Sequence, residues 1–530
     1  MSNRDCKNIA DTAIGKLSDS YIEKYLKIAP STKTYEGIGD DHTELDDPDY
    51  QADANLLLDQ KYLKKVKSIS TETSSENLAK NVIKQSLENS IEIQKTKVLF
   101  GIWGTEESHV SNQVSLIEYT AKNFEKENLI ERLAKLPKNL DKWFDSITQA
   151  SNDGIVNSKK STQGMIKYLE QLYRDQKYLN ILKDSFGENP TYLEEQIARK
   201  ADRANYYLAE RLRYNYLPFA KNEIGVGLEN YHLISKQELG IEIDLVTSYQ
   251  EVKEELIAIK QEIEKISKLI DPSTNNVRTV IAKLDAISNK NTRQDVMNFL
   301  EKMQFSSLEI LSTLIPNRAV KFCGINLTED PMVENPHYLP YFSDENYGEF
   351  VIPLSQAKQT WRVPSTFYHE TVPGHHLQFV MQLKREKRLT SFQKTLGYNP
   401  GFEEGWAFYI EKLISETIGY QNPAHQLSYL LDRALRLARL ELDIAIHLNG
   451  EETKIPKVDF KSAVERLKEF YQDEKSAIYE VNRYLAIPAQ ATAYQIGAKL
   501  IEENITSKKG SNSKKIVELL SKGSRPLSLL

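Results

Sequence analysis

His369-Glu370-Thr371-Val372-Pro373-Gly374-His375-His376 puts three imidazoles and a carboxylate into eight residues. The chain of 530 residues has nine histidines, so a third of them fall here. Neutral imidazole is the commonest protein ligand of zinc, and a carboxylate beside the first histidine is the arrangement of metal hydrolases. Just upstream, Pro364 suits a first helical turn, and Ser365-Thr366 can cap it. His369 is therefore predicted on a helix. Pro373 lacks an N–H, and its ring clashes with the carbonyl of His369 four residues back. The helix must kink or bulge between Glu370 and His375. Such a bulge returns His375 to the metal. An unbroken helix would instead present His376, seven residues after His369. Pro373 favours His375, with His376 as the competitor close behind the ligands.

A second cluster follows at Glu403-Glu404-Gly405-Trp406-Ala407-Phe408-Tyr409-Ile410-Glu411, after Pro400-Gly401. Adjacent glutamates on a helix point about 100° apart, so one of the two faces the metal. Glu404 and Glu411 are seven apart and share a face. Glu404 is the expected third ligand, and Glu411 is expected behind a ligating histidine, orienting its ring. Two histidines and a carboxylate leave zinc a fourth position open to water. Glu370, next to a ligand but not one itself, is the candidate general base. One Zn2+ per chain is the expected cofactor. Iron, cobalt and manganese suit the same donors.

Outward from these clusters the chain reads as mainly helical. Ser248 to Ile270 carries Val252, Leu256, Ile259, Ile263 and Ile266 among Glu and Lys, an amphipathic helix pattern. Thr162–Leu182, Asn205–Tyr216 and Val296–Leu314 read likewise. Residues 31–55 are acidic and rich in turn formers and read as loop. Strand signals are confined to Ala319–Cys323 and Glu349–Leu354. The expected fold class is mainly α, with a small β-sheet near the metal site. One domain over 1–530 is expected, with a helical N-terminal part (1–235) and a catalytic part (236–530).

Composition excludes more than it assigns. Hydrophobic residues make up 40% and charged residues 27%, ordinary for a globular protein. A net charge of −6 gives no basic face for nucleic acid. Two cysteines, Cys6 and Cys323, supply neither a disulfide framework nor a thiolate metal site. No apolar run has the length of a signal peptide core or a membrane span, so a cytoplasmic location without membrane contact is expected. Nothing in the sequence fixes the oligomeric state.

The stretch from His369 to Gln378 and the run Glu404 to Glu411 together resemble the bacterial family catalogued as domain of unknown function 885. Three further stretches agree. Arg439-Leu440-Glu441-Leu442-Asp443-Ile444-Ala445-Ile446-His447 is similar to the family's Arg-Leu-x-x-Asp-x-Gly-x-His, with Ala445 at the glycine. Arg483-Tyr484 through Pro488-Ala489-Gln490-Ala491 to Tyr494 and Gly497 is similar to its Arg-Tyr-x-x-x-Pro-Gly-Gln-Ala…Tyr-x-x-Gly, with Ala489 at the glycine. Gly523 to Leu530 is similar to its closing segment, and Tyr25 to Asp41 is a looser match. The chain departs at Ile516-Val517-Glu518-Leu519, where the family often has Phe-His-Asp.

That family looks like a distant relative of helical zinc peptidases such as thimet oligopeptidase, angiotensin-converting enzyme and carboxypeptidase Taq. The resemblance implies a large helical fold with a deep cleft, zinc at its floor, and hydrolysis of short peptides by an oligopeptidase or carboxypeptidase. His447, with Asp443 holding its ring, and Tyr484 and Tyr494 are candidate oxyanion donors. Arg483, Arg439 and Gln490 are candidate substrate contacts; Arg483 paired with a substrate carboxylate would make a carboxypeptidase. Two other readings fit the same residues: an inactive peptide-binding scaffold, and an amidase acting on amino-acid conjugates.

Overall fold

A computed structural model of the chain describes residues 8–530, apart from 52, 188, 317–319, 331–332, 334, 341–347, 385, 449–452 and 471–473. Helices dominate, and the described strands form one three-stranded sheet. Three hydrophobic cores organise the chain. The first joins Ile9–Leu87 with Phe392. The second gathers Leu45 and Trp103–Ala220 among the helices Lys126–Asn152, Lys159–Arg174 and Tyr192–Arg211. The third is the largest and takes nearly every apolar face after Tyr231.

The elements that carry the sequence motifs lie in the third core. They are α1 (Leu228–Leu239), α2 (Leu245–Ile270), β1 (Gly324–Thr328), β2 (His337–Leu339), β3 (Glu349–Pro353), α3 (Val363–Glu370), α4 (His375–Leu383), α5 (Pro400–Thr417), α6 (Pro423–His447), α7 (Glu474–Ala486) and α8 (Thr492–Ser507). In the sheet, β3 is central, parallel to β1 and antiparallel to β2. Phe350, Val351 and Ile352 of β3 are buried, and a short helix, Leu354–Ala357, leads from β3 towards α3.

Most of the helical pattern is found where the periodicity predicts it. Ser248–Ile270 lies in α2, Val296–Leu314 in the helix Arg293–Leu314, and Thr162–Leu182 spans two helices that break at Asp175-Gln176. Asn205–Tyr216 is the end of Tyr192–Arg211 followed by a π-helical turn at Leu212–Tyr216. Within the expected loop at 31–55, Pro30–Tyr35 forms one short helix. The expected strand at Ala319–Cys323 is not one. Ala319 lies outside the described residues, and Val320–Cys323 is irregular. Side chains take its carbonyls instead of a neighbouring strand. His376 Nε2 bonds Lys321 O at 2.8 Å, and Gln304 Nε2 donates to Cys323 O at 2.8 Å.

Close backbone contact sets the position of α5. A Cβ on Gly405 would meet the Gly497 backbone at 2.5 Å, and one on Gly497 would meet Gly401 O at 2.0 Å. Only glycine permits α5 and α8 to approach this closely. This contact fixes the height at which Glu404, one residue before Gly405, projects.

Candidate metal centre

Pro364 stands in the first turn of α3, which ends at Glu370. Ser365 does not cap the helix, contrary to expectation: no side-chain cap is formed, and Ser365 Oγ donates to Glu411 Oε2. The interruption predicted from Pro373 is a full break. The Val372–Pro373 peptide is cis, and a new helix, α4, begins at His375. A Cβ on Gly374 would sit 1.9 Å from His369 O, so the tight return needs glycine there. Trp406, fully buried on α5, donates its indole N–H to Pro373 O at 3.2 Å and Gly374 O at 3.3 Å. The aromatic residue of the second motif thus holds the break in the first.

The break brings His369, His375 and Glu404 together. Glu404 Oε2 is 3.3 Å from His369 Nε2 and 3.7 Å from His375 Nε2. One ligand atom from each residue lies within 4.8 Å of the others, the one such cluster among the described residues. Zinc bonds of 2.0–2.1 Å at tetrahedral angles separate ligand atoms by roughly 3.4 Å. The two nitrogen–oxygen spacings match that edge, so the donor set fits zinc in both chemistry and size. The side chains of His375 and Glu404 keep 16% and 17% of their surface exposed, whereas His369 keeps 4%. The cluster therefore keeps partial contact with solvent.

Glu411 lies behind His369 as expected. Its Oε1 accepts from His369 Nδ1 at 2.7 Å, which fixes the tautomer that leaves Nε2 for a metal. Arg436 Nη1 is 3.4 Å from the same oxygen. Burial opposes charge throughout the cluster, yet Glu404 and Glu411 hold the His369 imidazole up to about 10. Burial likewise disfavours the charged form of Glu404, but the two imidazoles hold its carboxyl well below the usual range. These groups satisfy one another by sharing protons, which a divalent cation can replace. Glu370 is half-buried at the end of α3, and its charge acts on both imidazoles.

His376 is turned away. Its Nδ1 meets Tyr338 Oη at 3.1 Å and its Nε2 meets Lys321 O at 2.8 Å. Instead of standing behind a ligand, it fastens α4 to β2 and to the segment before β1. His447 is also elsewhere. Its Nδ1 accepts from Val226 N–H at 3.3 Å, and its Nε2 donates to Tyr484 O at 3.0 Å. Both ring nitrogens serve backbone, which leaves none for an oxyanion. Asp443 Oδ1 lies 3.5 Å from His447 Nε2, so the carboxylate does stand beside the ring, while its Oδ2 accepts from Tyr231 Oη at 2.6 Å and Ala489 N–H at 2.8 Å. Tyr484 is buried, with its carbonyl engaged by His447.

Tyr494 does reach the centre. Its ring stacks on His369 at 6.5 Å and 27°, and meets Phe408 edge-on at 6.4 Å. Arg436 and Arg439 lie over it at 5.6 and 5.2 Å from the ring centroid. Arg439 and Arg483 face a shared carboxylate, Glu480, and Gln490 Oε1 is 3.5 Å from Arg439 Nη2. Sequence reading missed Ser365, Trp406, Arg436 and Glu480. Ser365 and Arg436 were legible in part: Ser365 precedes His369 by four, and Arg436 precedes Asp443 by seven, on the same helix faces. A cavity of about 390 Å³ lies between α2, α5, α6 and α8, lined by Glu255, Lys412, Arg433 and Gln495 among others and by none of the three clustered donors. The deep cleft implied by the resemblance is not what this cavity shows.

Fold and site define a large helical protein with a candidate centre of two histidines and one glutamate. Residues 30–530 match the family described as bacterial protein of unknown function (DUF885), and the chain belongs to that family. Two solved structures are similar over nearly their whole length. A putative lipoprotein from Colwellia psychrerythraea has a TM-score of 0.78 at 15% identity, covering 97% of each chain. A putative lipoprotein of unknown function from Shewanella oneidensis has a TM-score of 0.74 at 17% identity, covering 98% of each. At such identities the likeness concerns the fold. No curated protein matches the sequence. No helix among the described residues is long and apolar enough to cross a membrane.

Proposed function

We propose that this protein is a zinc-dependent hydrolase of short peptides, one Zn2+ per chain, with Glu370 as general base. The observation that carries the reading is the spacing of the His369, His375 and Glu404 donors, with Glu411 fixing the tautomer of His369. Bound zinc supplies an acidified water and a polarised carbonyl. The residues do the rest. Glu370 takes a proton from the attacking water as the C–O bond forms. When the C–N bond breaks, it delivers that proton to the leaving amine nitrogen. Tyr494, beside His369, is the remaining candidate to donate to the oxyanion. The relation to helical zinc peptidases inferred from the motifs is part of this proposal, as is the cytoplasmic location. Cell fractionation tests that location against the lipoprotein description of the two similar structures.

The test is metal content followed by activity. Elemental analysis should find about one zinc per chain, lost in His369→Ala. The zinc-loaded protein should cleave members of a short-peptide panel, read by mass spectrometry beside a panel of amino-acid amide conjugates. Glu370→Gln should keep the zinc and lose at least about 100-fold in rate. Loss of zinc from that variant would overturn the role of Glu370. Absence of zinc from the wild type, even when supplied, would favour the inactive scaffold.

A further inference from the structure

Arg439 of α6 and Arg483 of α7 converge on a single carboxylate. Glu480 Oε2 is 3.1 Å from Arg483 Nη2 and 3.6 Å from Arg439 Nε. The two guanidiniums therefore share this carboxylate. Two neighbouring carboxyls serve other groups among the described residues. Glu411 serves His369, Ser365 and Arg436, and Asp443 serves Tyr231 and Ala489. Burial pushes the Asp443 carboxyl up to about 7, which weakens it further as a counter-charge. Arg483 Nε is buried with no hydrogen-bond partner among the described residues. An orphaned buried donor on a charged group costs on the order of 1–3 kcal/mol, so such groups normally have a partner. The rest of the Arg483 side chain keeps 21% of its surface exposed, so a ligand can reach it.

Position says which ligand. Arg439 lies 5.2 Å from the centroid of Tyr494, and that ring lies 6.5 Å from His369. One phenol ring thus separates the Arg439 guanidinium from the candidate metal centre. Extended peptide covers about 3.5 Å per residue, so one to three residues bridge the gap. The Arg483 Nε–H left over beside the Glu480 pair can donate a charge-assisted hydrogen bond to a second carboxylate. The Gln490 side-chain amide next to Arg439 can add a donor.

We propose that Arg439, Arg483 and Gln490 form the subsite for the free α-carboxylate of a short peptide, so that the enzyme removes one to three residues from the carboxyl terminus. This rests on the hydrolase reading above and specifies its substrate class.

The experiment compares one peptide as free acid and as carboxy-terminal amide, using zinc-loaded full-length protein. The free acid should be cleaved with a kcat/KM at least about 30-fold higher, which is what a charge-assisted pair supplies. Arg483→Ala should shrink that ratio to within threefold, mainly through KM, and Arg483→Lys should recover part of it. Gln490→Ala is the gentler second variant and should narrow the ratio in the same direction. Equal cleavage of acid and amide by the wild type would overturn the carboxylate subsite and leave the hydrolase reading standing. If neither peptide is cut, the hydrolase reading fails by itself, and calorimetric binding of the same pair decides the subsite. Tighter binding of the free acid, at least tenfold and erased by Arg483→Ala, would support it; equal or absent binding would overturn it.

Discussion

Glu411 Oε1 sits 2.7 Å from His369 Nδ1, buried on α5 with no exposed surface of its own. The contact decides which ring nitrogen can face Glu404. Removing the acceptor frees the imidazole to rotate and to change tautomer. Glu411→Ala should therefore weaken zinc binding by about 10- to 100-fold without touching a ligand atom. It also strands Ser365 and Arg436, both of which use the same carboxylate. Chelator competition at fixed pH measures the affinity. Unchanged affinity in a folded variant would remove Glu411 from the account of the site.

The two adjacent histidines should separate cleanly. His375 contributes its Nε2 to the donor cluster, whereas His376 is bonded at both nitrogens to Tyr338 and Lys321. His375→Ala should abolish stoichiometric zinc with a small effect on stability. His376→Ala should keep the zinc and lose about 1–3 kcal/mol of stability, because it unfastens α4 from the sheet region and leaves the Lys321 carbonyl without this partner. Metal content and denaturant midpoints of the two variants check this. The opposite pattern would make His376 the ligand.

How far the sequence carries the site depends on what each motif must specify. The His369 to His375 spacing was readable because Pro373 forbids a continuous helix, so geometry followed from covalent chemistry. Glu404 and Glu411 were readable because a seven-residue spacing puts both on one face. The four-residue spacing of Asp443 and His447 gave a shared face too, but not what that face meets. The partners of His447 are backbone groups at Val226 and Tyr484, brought in by elements far away in the chain. Likewise Gly405 is visible in the sequence, while its reason, contact with Gly497, exists only once α5 and α8 are packed. Over Val320–Cys323 the expected strand is missing for the same cause: His376 and Gln304 take the carbonyls of Lys321 and Cys323.

Asp443 and His447 should give opposite pH signatures. Burial raises the Asp443 carboxyl from 3.8 to about 7. The folded protein then keeps a proton that the unfolded chain has released, so the contribution of Asp443 is full below about pH 4 and lost as pH rises towards 7. Burial lowers His447 from 6.5 to about 4. Here the unfolded chain takes up a proton that the fold refuses, so stability is lost as pH falls from 6.5 to 4, on the order of 3 kcal/mol. Relative to wild type, Asp443→Asn should gain stability as pH rises from 4 to 7. His447→Gln should gain on wild type as pH falls over the lower window. Urea denaturation at pH 4, 5.5 and 7 measures both differences, and parallel curves for a variant and wild type would refute the assignment for that residue.

Ala489 carries a backbone that suits another residue. Its φ is +68°, in the left-handed region, and its side chain is fully buried. A residue with a Cβ pays roughly 1–2 kcal/mol there, a strain that glycine does not carry. The conformation is held because the Ala489 N–H donates to Asp443 Oδ2 at 2.8 Å, and the Ala489 carbonyl accepts from Thr492 Oγ1 at 2.5 Å at the start of α8. Ala489→Gly keeps both bonds and removes the strain. It also loses a buried methyl and loosens the unfolded chain, which together offset part of the gain. The net should be stabilisation of about 0.5–1 kcal/mol, read as a higher urea midpoint at unchanged slope. Ala489→Val, which adds branching to a left-handed backbone, should destabilise by more than that. If glycine instead lowers the midpoint, packing of the Ala489 methyl outweighs the backbone strain, and the turn between α7 and α8 is held by side-chain contact more than by its hydrogen bonds.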